Sequence, residues 1–333
     1  DLTLWLEGPS RTFKSSQAAV FNSHFGAEID RTTLGGNWHD TANATEYKLF
    51  RLKDCLAVID DYAPQPSQSA QNIMDNVVSR VVRNIGNRQG RDRLHKNLEL
   101  RHGRRPRGMV IATGEQYPHG ESIVARIYGV SIRHGDVDKA ILTECQENAA
   151  EGILAQSMAD FLMGMAETYV TRIEQARQDF TNFRKWAISQ GLVGRLPEQV
   201  AYLCIGFKQA AMHWKACGVI NEEKCRELVA DAGAVFVDLA RLHHTRIQSA
   251  QPAEAFTHAL HEMLTIGKVH LRNREDDRTP ANAERYGWRH TEPQGTHIGW
   301  ADDEHIYILP TQAMELVNES LRKSGNPMNL RRA

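Results

Sequence analysis

Near its start the chain reads Gly8-Pro9-Ser10-Arg11-Thr12-Phe13-Lys14-Ser15. Glycine, lysine and a hydroxyl stand at the spacing of the phosphate-binding frame G-x-x-x-x-G-K-[ST], with Phe13 in place of the second glycine. The chemistry of that frame needs backbone N–H groups wrapped around phosphate oxygens at a helix N-terminus. It also needs an ammonium on the β- and γ-phosphates and a hydroxyl on Mg²⁺, which assigns Lys14 to the nucleotide and Ser15 to the metal. Phe13 occupies a position whose backbone geometry suits glycine. Forty-five residues beyond Ser15, Val58-Ile59 runs into Asp60-Asp61. An ATP-hydrolysing site needs one carboxylate there for Mg²⁺ and a second to polarise the attacking water, so Asp60 is assigned to the metal and Asp61 to the base. Thr113, with Glu115 after it, ends the next apolar run and fits the polar group that contacts that water. Hydrolysis at a subunit interface further needs a cation delivered in trans. Arg126 is the first candidate, with Arg83 and Arg88 as alternatives.

The elements that must hold these groups follow from apolar patterning. Leu2–Leu6 reads as a buried strand directly before the glycine loop, and 14–24 as a helix stopped by Gly26. Residues 41–53 form a second helix with Ala44, Tyr47, Leu49, Phe50 and Leu52 facing inward. Residues 55–59 are a central parallel strand ended by Asp60-Asp61, and 70–85 a helix. Strands at 108–112 and 123–132 complete the alternation, which predicts an α/β core with a parallel sheet flanked by helices. Residues 137–250 are almost entirely helical, with breaks at Gly191, Gly194–Pro197 and Gly218, and Met158, Met163 and Met165 are expected in the core. A helix at 254–266, strands near His297–Trp300 and His305–Leu309, and a last helix after Pro310 suggest a small winged-helix-like module. Trp288 and Trp300 are expected to be its packing anchors. The domains expected are thus 1–136, 137–250 and 251–333. Because the numbering opens almost on a core strand, a further segment upstream is expected.

The 333 residues are 41% hydrophobic and 24% charged, globular values that exclude disordered and fibrous classes. No apolar run reaches the roughly 20 residues of a membrane helix. Five cysteines without a CxxC pair indicate neither a disulfide framework nor a zinc site, and fit a reduced, cytoplasmic setting. The fifteen histidines, His243-His244 and His258/His261 included, lack metal-site spacing and read as core or surface residues. The net charge of −1 hides a segment of opposite character. Between Arg80 and Arg107 ten Lys/Arg face only Asp92 and Glu99, giving +8 and leaving −9 for the rest. Within it, Arg88, Arg91, Arg93, Lys96, Arg104 and Arg105, interspersed with Gly86 and Gly90, suit a loop that grips a phosphate backbone without reading bases.

Taken together, GPSRTFKSS, GNWHDTANATEY, LAVIDDYAP, GNRQGRDR and MVIATGE resemble the helicase-like ATPase portion of primase-helicase proteins from phages, plasmids and integrative mobile elements. The resemblance covers residues 2–133 best, and the stretch at 295–310 is similar to the tails of such proteins. It implies a P-loop NTPase core of the AAA+/RecA-like kind. The assembly would be a homo-oligomeric ring, a hexamer, that moves on single-stranded or forked DNA, with a primase-polymerase domain or protein as partner. By this resemblance Gly8, Pro9, Ser10, Arg11, Thr12, Phe13, Lys14, Ser15 and Ser16 cradle ATP. Ser15 and Asp60 take Mg²⁺, Asp60 and Asp61 form the acidic pair, Thr113 senses the γ-phosphate, and Arg126 is the finger. Two positions depart from the family: Phe13 replaces a glycine, and Asp61 stands where many relatives have glutamate. These departures sustain a second hypothesis, a non-hydrolysing DNA-binding assembly protein locked by nucleotide. A small-molecule kinase would leave the +8 segment unexplained.

Overall fold

The computed structural model describes residues 2–90, 92–94, 100–101 and 103–323. Its first elements are β1 (Thr3–Glu7), α1 (Lys14–Asn22), α2 (Ala42–Arg51), β2 (Ala57–Tyr62), α3 (Gln68–Gly86), the short strands β3 (Arg93–Leu94) and β4 (Leu100–Arg101), β5 (Val110–Gly114), α4 (Glu121–Val124) and β6 (Ile127–Ser131). Five helices follow: α5 (Lys139–Ala150), α6 (Ile153–Ala166), α7 (Tyr169–Ser189), α8 (Leu196–Ala216) and α9 (Glu222–Ser249). The remainder comprises α10 (Pro252–Thr265), β7 (Val269–Asn273), β8 (Trp288–Arg289), β9 (Glu292–Pro293), β10 (Thr296–Ala301), β11 (Ile306–Ile308) and α11 (Pro310–Lys323).

The central sheet runs β2-β5-β1-β6 with every pair parallel. Alternation along the strands sends successive side chains to opposite faces. Trp5, Ile59 and Ala112 meet α3 through Val78, Val81 and Ile85 on one face; Leu6, Val58 and Ile111 meet Ala18 and Ala19 of α1 on the other. Each fully buried aliphatic side chain contributes about 1.5–3 kcal/mol to holding its layer. Trp5 stacks on Trp38 with ring centroids 5.5 Å apart. All four carboxyl ends therefore open on one edge of the sheet, where the loop after β1 and the ends of β2 and β5 converge.

Two compact units result. One spans 1–118 and 122–246, the other 119–121 and 247–333. The first holds the sheet and the helices through most of α9, because Tyr128 Oη donates to the Phe236 carbonyl at 2.6 Å and His243 Nε2 meets the Val124 carbonyl at 3.0 Å. The second packs α10 and α11 on a three-stranded sheet ordered β11-β10-β7. There β10 pairs antiparallel with β11 and parallel with β7, a strand the sequence reading did not anticipate. Trp288 is buried with its Nε1 donating to the Leu271 carbonyl at 2.6 Å, whereas Trp300 is half-buried and donates to Asp277 at 2.8 Å.

Some inward assignments do not hold. On α2 the buried residues are Thr45, Glu46 and Leu49, while Ala44, Tyr47 and Leu52 are exposed. Tyr47 instead lies under the Arg104 guanidinium, 4.7 Å from its ring centroid. α6 buries none of its residues: Met163 is exposed and Met158 and Met165 are half-buried, so the three methionines are not core residues. Among the described residues no helix is long and apolar enough to cross a membrane.

Candidate nucleotide site and basic hairpin

The loop from Gly8 to Phe13 leaves β1 and turns directly into α1. At Gly8 a Cβ would stand 2.1 Å from the Ile132 carbonyl oxygen, so the close approach of the residue that follows β6 admits only glycine. Thr12 Oγ1 donates to the Pro9 carbonyl at 2.9 Å and closes the loop on itself. Phe13 has φ 65° and ψ 22°, the left-handed conformation for which glycine is the usual choice. The turn thus keeps its backbone path without the glycine, at a cost of about 1–2 kcal/mol. The Phe13 ring lies 5.7 Å from Lys139 Nζ, a contact that offsets part of this.

Lys14 opens α1 and is folded back into the loop. Its ammonium donates to the Gly8 carbonyl at 2.7 Å, the Pro9 carbonyl at 2.8 Å and Thr12 Oγ1 at 3.4 Å. Desolvation pulls its pKa below the ordinary lysine value, opposed by the nearby carboxylates of Glu115, Glu7, Asp60 and Asp61. The ammonium is held by weak neutral acceptors that an anion can replace with charge-assisted bonds.

β2 does not end before the acidic pair, as the sequence suggested, but runs through it to Tyr62. Ile59 pairs with Ala112 and Tyr62 with Gly114, so β2 carries one residue more than β5 and bulges at the two aspartates. Asp61 takes φ 70° there. The segment GNWHD supports the same point from the edge: Asp60 donates its N–H to the Gly36 carbonyl and accepts from Trp38 N–H, each at 3.0 Å. At Gly36 a Cβ would lie 2.6 Å from the Val58 carbonyl oxygen, so this approach also needs glycine.

Three separated pieces of sequence meet on Asp60. Ser15 Oγ donates to Asp60 Oδ1 at 2.8 Å, and Thr113 Oγ1 donates to the same oxygen. Thr113 also accepts from the Asp61 N–H at 3.1 Å. Thr113 can bridge the pair because β5 lies beside β2, and its side chain is 1% exposed. A cleft of about 380 Å³ opens over this cluster, within the range of about 300–1,000 Å³ common for small-molecule sites. Ser10, Arg11, Phe13, Lys14, Ser15 and Ser16 line one side, and Asp61, Thr113, Gly114 and Glu115 another. Arg31 also reaches it, a residue the sequence reading missed. Its signal was a turn in which Asp30 Oδ1 accepts from Thr32 N–H at 2.7 Å. The donor set suits a hard cation held by oxygen: a hydroxyl and a carboxylate oxygen already converge, with Asp61 and Glu115 lining the same cleft. Arg11, Lys14 and Arg31 suit phosphate.

Arg126 is not in this cleft. It lies in the turn just before β6 rather than on the strand, at the amino ends of the sheet. Its guanidinium donates to the Ser122 carbonyl at 2.5 Å and, through Nε, to Asn87 Oδ1 at 3.3 Å. Desolvation, then Arg195 and Arg83, lower its pKa. Arg195 itself donates to the Gly86 carbonyl at 2.8 Å, which adds a cation the sequence reading did not name.

The +8 segment doubles back as a hairpin at this same amino edge, with Arg93 opposite Arg101 and Leu94 opposite Leu100. At Gly90 a Cβ would stand 2.5 Å from the Arg104 backbone, so the limbs are closely apposed. Arg104 covers Tyr47, and Arg105 is exposed. Arg88, expected on a phosphate backbone, instead donates to Tyr202 Oη of α8 and lies 3.9 Å from Glu198. Arg91 and Lys96 lie outside the described residues.

No family model and no curated protein matches the chain. Among solved structures, the fold is similar to one described as "SCCmec type IV Cch - active helicase", with a TM-score of 0.58 and 14% identity. The likeness takes in 99% of this chain and 56% of the other, so this chain spans little more than half the length of that protein. The chain thus shares the mixed α/β, parallel-sheet fold of a protein described as an active helicase.

Proposed function

We propose that the chain is an ATP-hydrolysing motor that acts on DNA, of the helicase or translocase kind. The observation that carries this reading is the meeting of Ser15, Asp60 and Thr113 on one carboxylate oxygen beside a phosphate-type loop. Such a cluster suits Mg²⁺ and the phosphates of ATP, with Mg²⁺ supplying charge neutralisation between the β- and γ-phosphates. Lys14 leaves the Gly8 and Pro9 carbonyls for phosphate oxygens, Asp61 accepts the proton of an attacking water, and Thr113 fixes the aspartates relative to each other. The basic hairpin, at the far end of the same strands, follows β2 and β5 when the aspartates move and so transmits the nucleotide state to a DNA backbone. Arg126 serves a neighbouring copy's nucleotide in a ring. The likeness to a protein described as an active helicase supports the DNA reading, and the second unit is read as a winged-helix-like docking or DNA-binding module. A replication role in a mobile element, with a primase-polymerase partner, is part of the same proposal. The retained path of the loop at Phe13 serves nucleotide binding in this reading and in that of a non-hydrolysing assembly protein alike; ATP turnover separates the two.

The test is binding and unwinding of a forked DNA by the chain and by an Arg93→Ala/Arg105→Ala variant. Weaker binding and slower unwinding in the variant, with ATP affinity unchanged, are expected. Undiminished DNA binding would remove the hairpin from the account.

A further inference from the structure

Asp160, His213 and Cys217 form a cluster that the nucleotide site does not use. His213 lies in the last turn of α8 and Cys217 caps that helix four residues on, so both side chains share one face. Asp160 faces them from α6. The three donor atoms close a triangle. Cys217 Sγ lies 3.6 Å from His213 Nε2 and 3.6 Å from Asp160 Oδ2, and Nε2 lies 3.1 Å from the same Oδ2.

Those lengths have a specific meaning. A tetrahedral Zn²⁺ sits about 2.3 Å from sulfur and about 2.0–2.2 Å from nitrogen and oxygen. Its ligand atoms are then separated by about 3.5–3.6 Å for the two edges to sulfur and about 3.4 Å for nitrogen to oxygen. The two edges to sulfur match and the nitrogen–oxygen edge is about 0.3 Å short. Cys217 Sγ, 3.9 Å from Nδ1, stands beside the ring rather than ahead of the Nε2 lone pair, so the exposed thiol must turn about its Cα–Cβ bond to share an ion with Nε2. A cysteine nucleophile would be built differently, with thiol and carboxylate on opposite nitrogens of the imidazole. Here the carboxylate takes Nε2, and the sulfur lies 3.6 Å from Nε2 and 3.9 Å from Nδ1, on the line of neither. The His213 ring is held edge-on against Phe161, with centroids 5.4 Å apart, and its side chain is 13% exposed. Asp160 and Cys217 are exposed, so an ion can enter from solvent.

We propose that Asp160, His213 and Cys217 bind a divalent transition-metal ion of the Zn²⁺ class, with water in the fourth position. One thiolate, one imidazole and one carboxylate select such an ion over Mg²⁺ or Ca²⁺, which take oxygen alone. The ion clips α6 to the end of α8. It adds to the contact that Phe161 of α6 already makes on the His213 ring.

The experiment uses the full chain, freed of metal with a chelator and titrated with Co²⁺. One equivalent is expected to produce the visible bands of a tetrahedral ion and a near-ultraviolet thiolate-to-Co²⁺ band, both bleached by Zn²⁺. Cys217→Ser removes the near-ultraviolet band, and His213→Ala weakens binding at least about tenfold. Co²⁺ at the oxygen-only Ser15/Asp60 cluster gives no thiolate band, so the two sites are separated. On the unaltered chain, Zn²⁺ is expected to protect Cys217, but not the half-buried Cys145, from alkylation mapped by peptide mass. A titration without a thiolate band, a band kept by Cys217→Ser, or equal alkylation with and without Zn²⁺ overturns the proposal.

Discussion

Replacing Thr113 with valine keeps the shape of a fully buried side chain and deletes one hydroxyl. That hydroxyl donates to Asp60 Oδ1 and accepts from the Asp61 N–H at 3.1 Å. A hydrogen bond to a charged group contributes about 1.5–3 kcal/mol, and a buried donor left unpaired costs about 1–3 kcal/mol. Asp61 is exposed, so water recovers part of the second term. Thr113→Val is therefore expected to lose about 3 kcal/mol in urea unfolding followed by circular dichroism. Thr113→Ser keeps both bonds and is expected to stay within about 1 kcal/mol of the parent, the difference being one methyl group. If the hydroxyl also sets the distance from Asp60 to Ser15, hydrolysis by the valine variant falls by at least about tenfold, the equivalent of about 1.4 kcal/mol at the barrier. A valine variant within about 0.5 kcal/mol of the parent, the scatter of an ordinary surface substitution, with normal turnover, would refute the reasoning.

Three further expectations can be checked. At Phe13, with φ 65°, Phe13→Gly should be more stable than Phe13→Ala by about 1 kcal/mol, the reverse of their order at a right-handed position; urea unfolding decides the sign. His243 is buried and its pKa is lowered to about 4 by desolvation, so the fold keeps it neutral while the unfolded chain protonates it near 6.5. Stability is complete above pH 6.5, falls by about 3 kcal/mol as pH drops towards 4, and levels off below; this slope should be absent in His243→Gln. For the hairpin, the Arg93→Ala/Arg105→Ala variant should lower the slope of log affinity for single-stranded DNA against log salt by about 0.7 for each phosphate the variant no longer neutralises. An unchanged slope would mean that neither guanidinium touches the backbone.

The parts of the candidate site that were legible lie where chemistry is local. Gly8 to Ser15 occupy one strand–loop–helix turn, and Asp60 and Thr113 end apolar runs that could be read as neighbouring strands. What could not be read depended on contacts between distant segments. The bulge at Asp60-Asp61 arises from pairing with β5, and nothing in Val58-Ile59-Asp60-Asp61-Tyr62 announces the extra residue. Arg31 enters the cleft from a polar turn with no periodicity. Arg88 looked like its basic neighbours, yet Tyr202 and Glu198, more than a hundred residues away, engage it. The strand Val269–Asn273 is short and half polar, and acquires its identity only from β10. The sequence reading found no metal-site spacing among the histidines and cysteines; His213 and Cys217 stand four apart at the end of α8, and Asp160 joins them only through the packing of α6 near α8.

The central claim is tested most directly by steady-state ATP hydrolysis with Mg²⁺, with and without single-stranded DNA, by the chain and by Lys14→Ala. The account predicts turnover that DNA stimulates and that the variant lacks. Equal turnover in the two proteins, or nucleotide binding with no turnover under either condition, would contradict it.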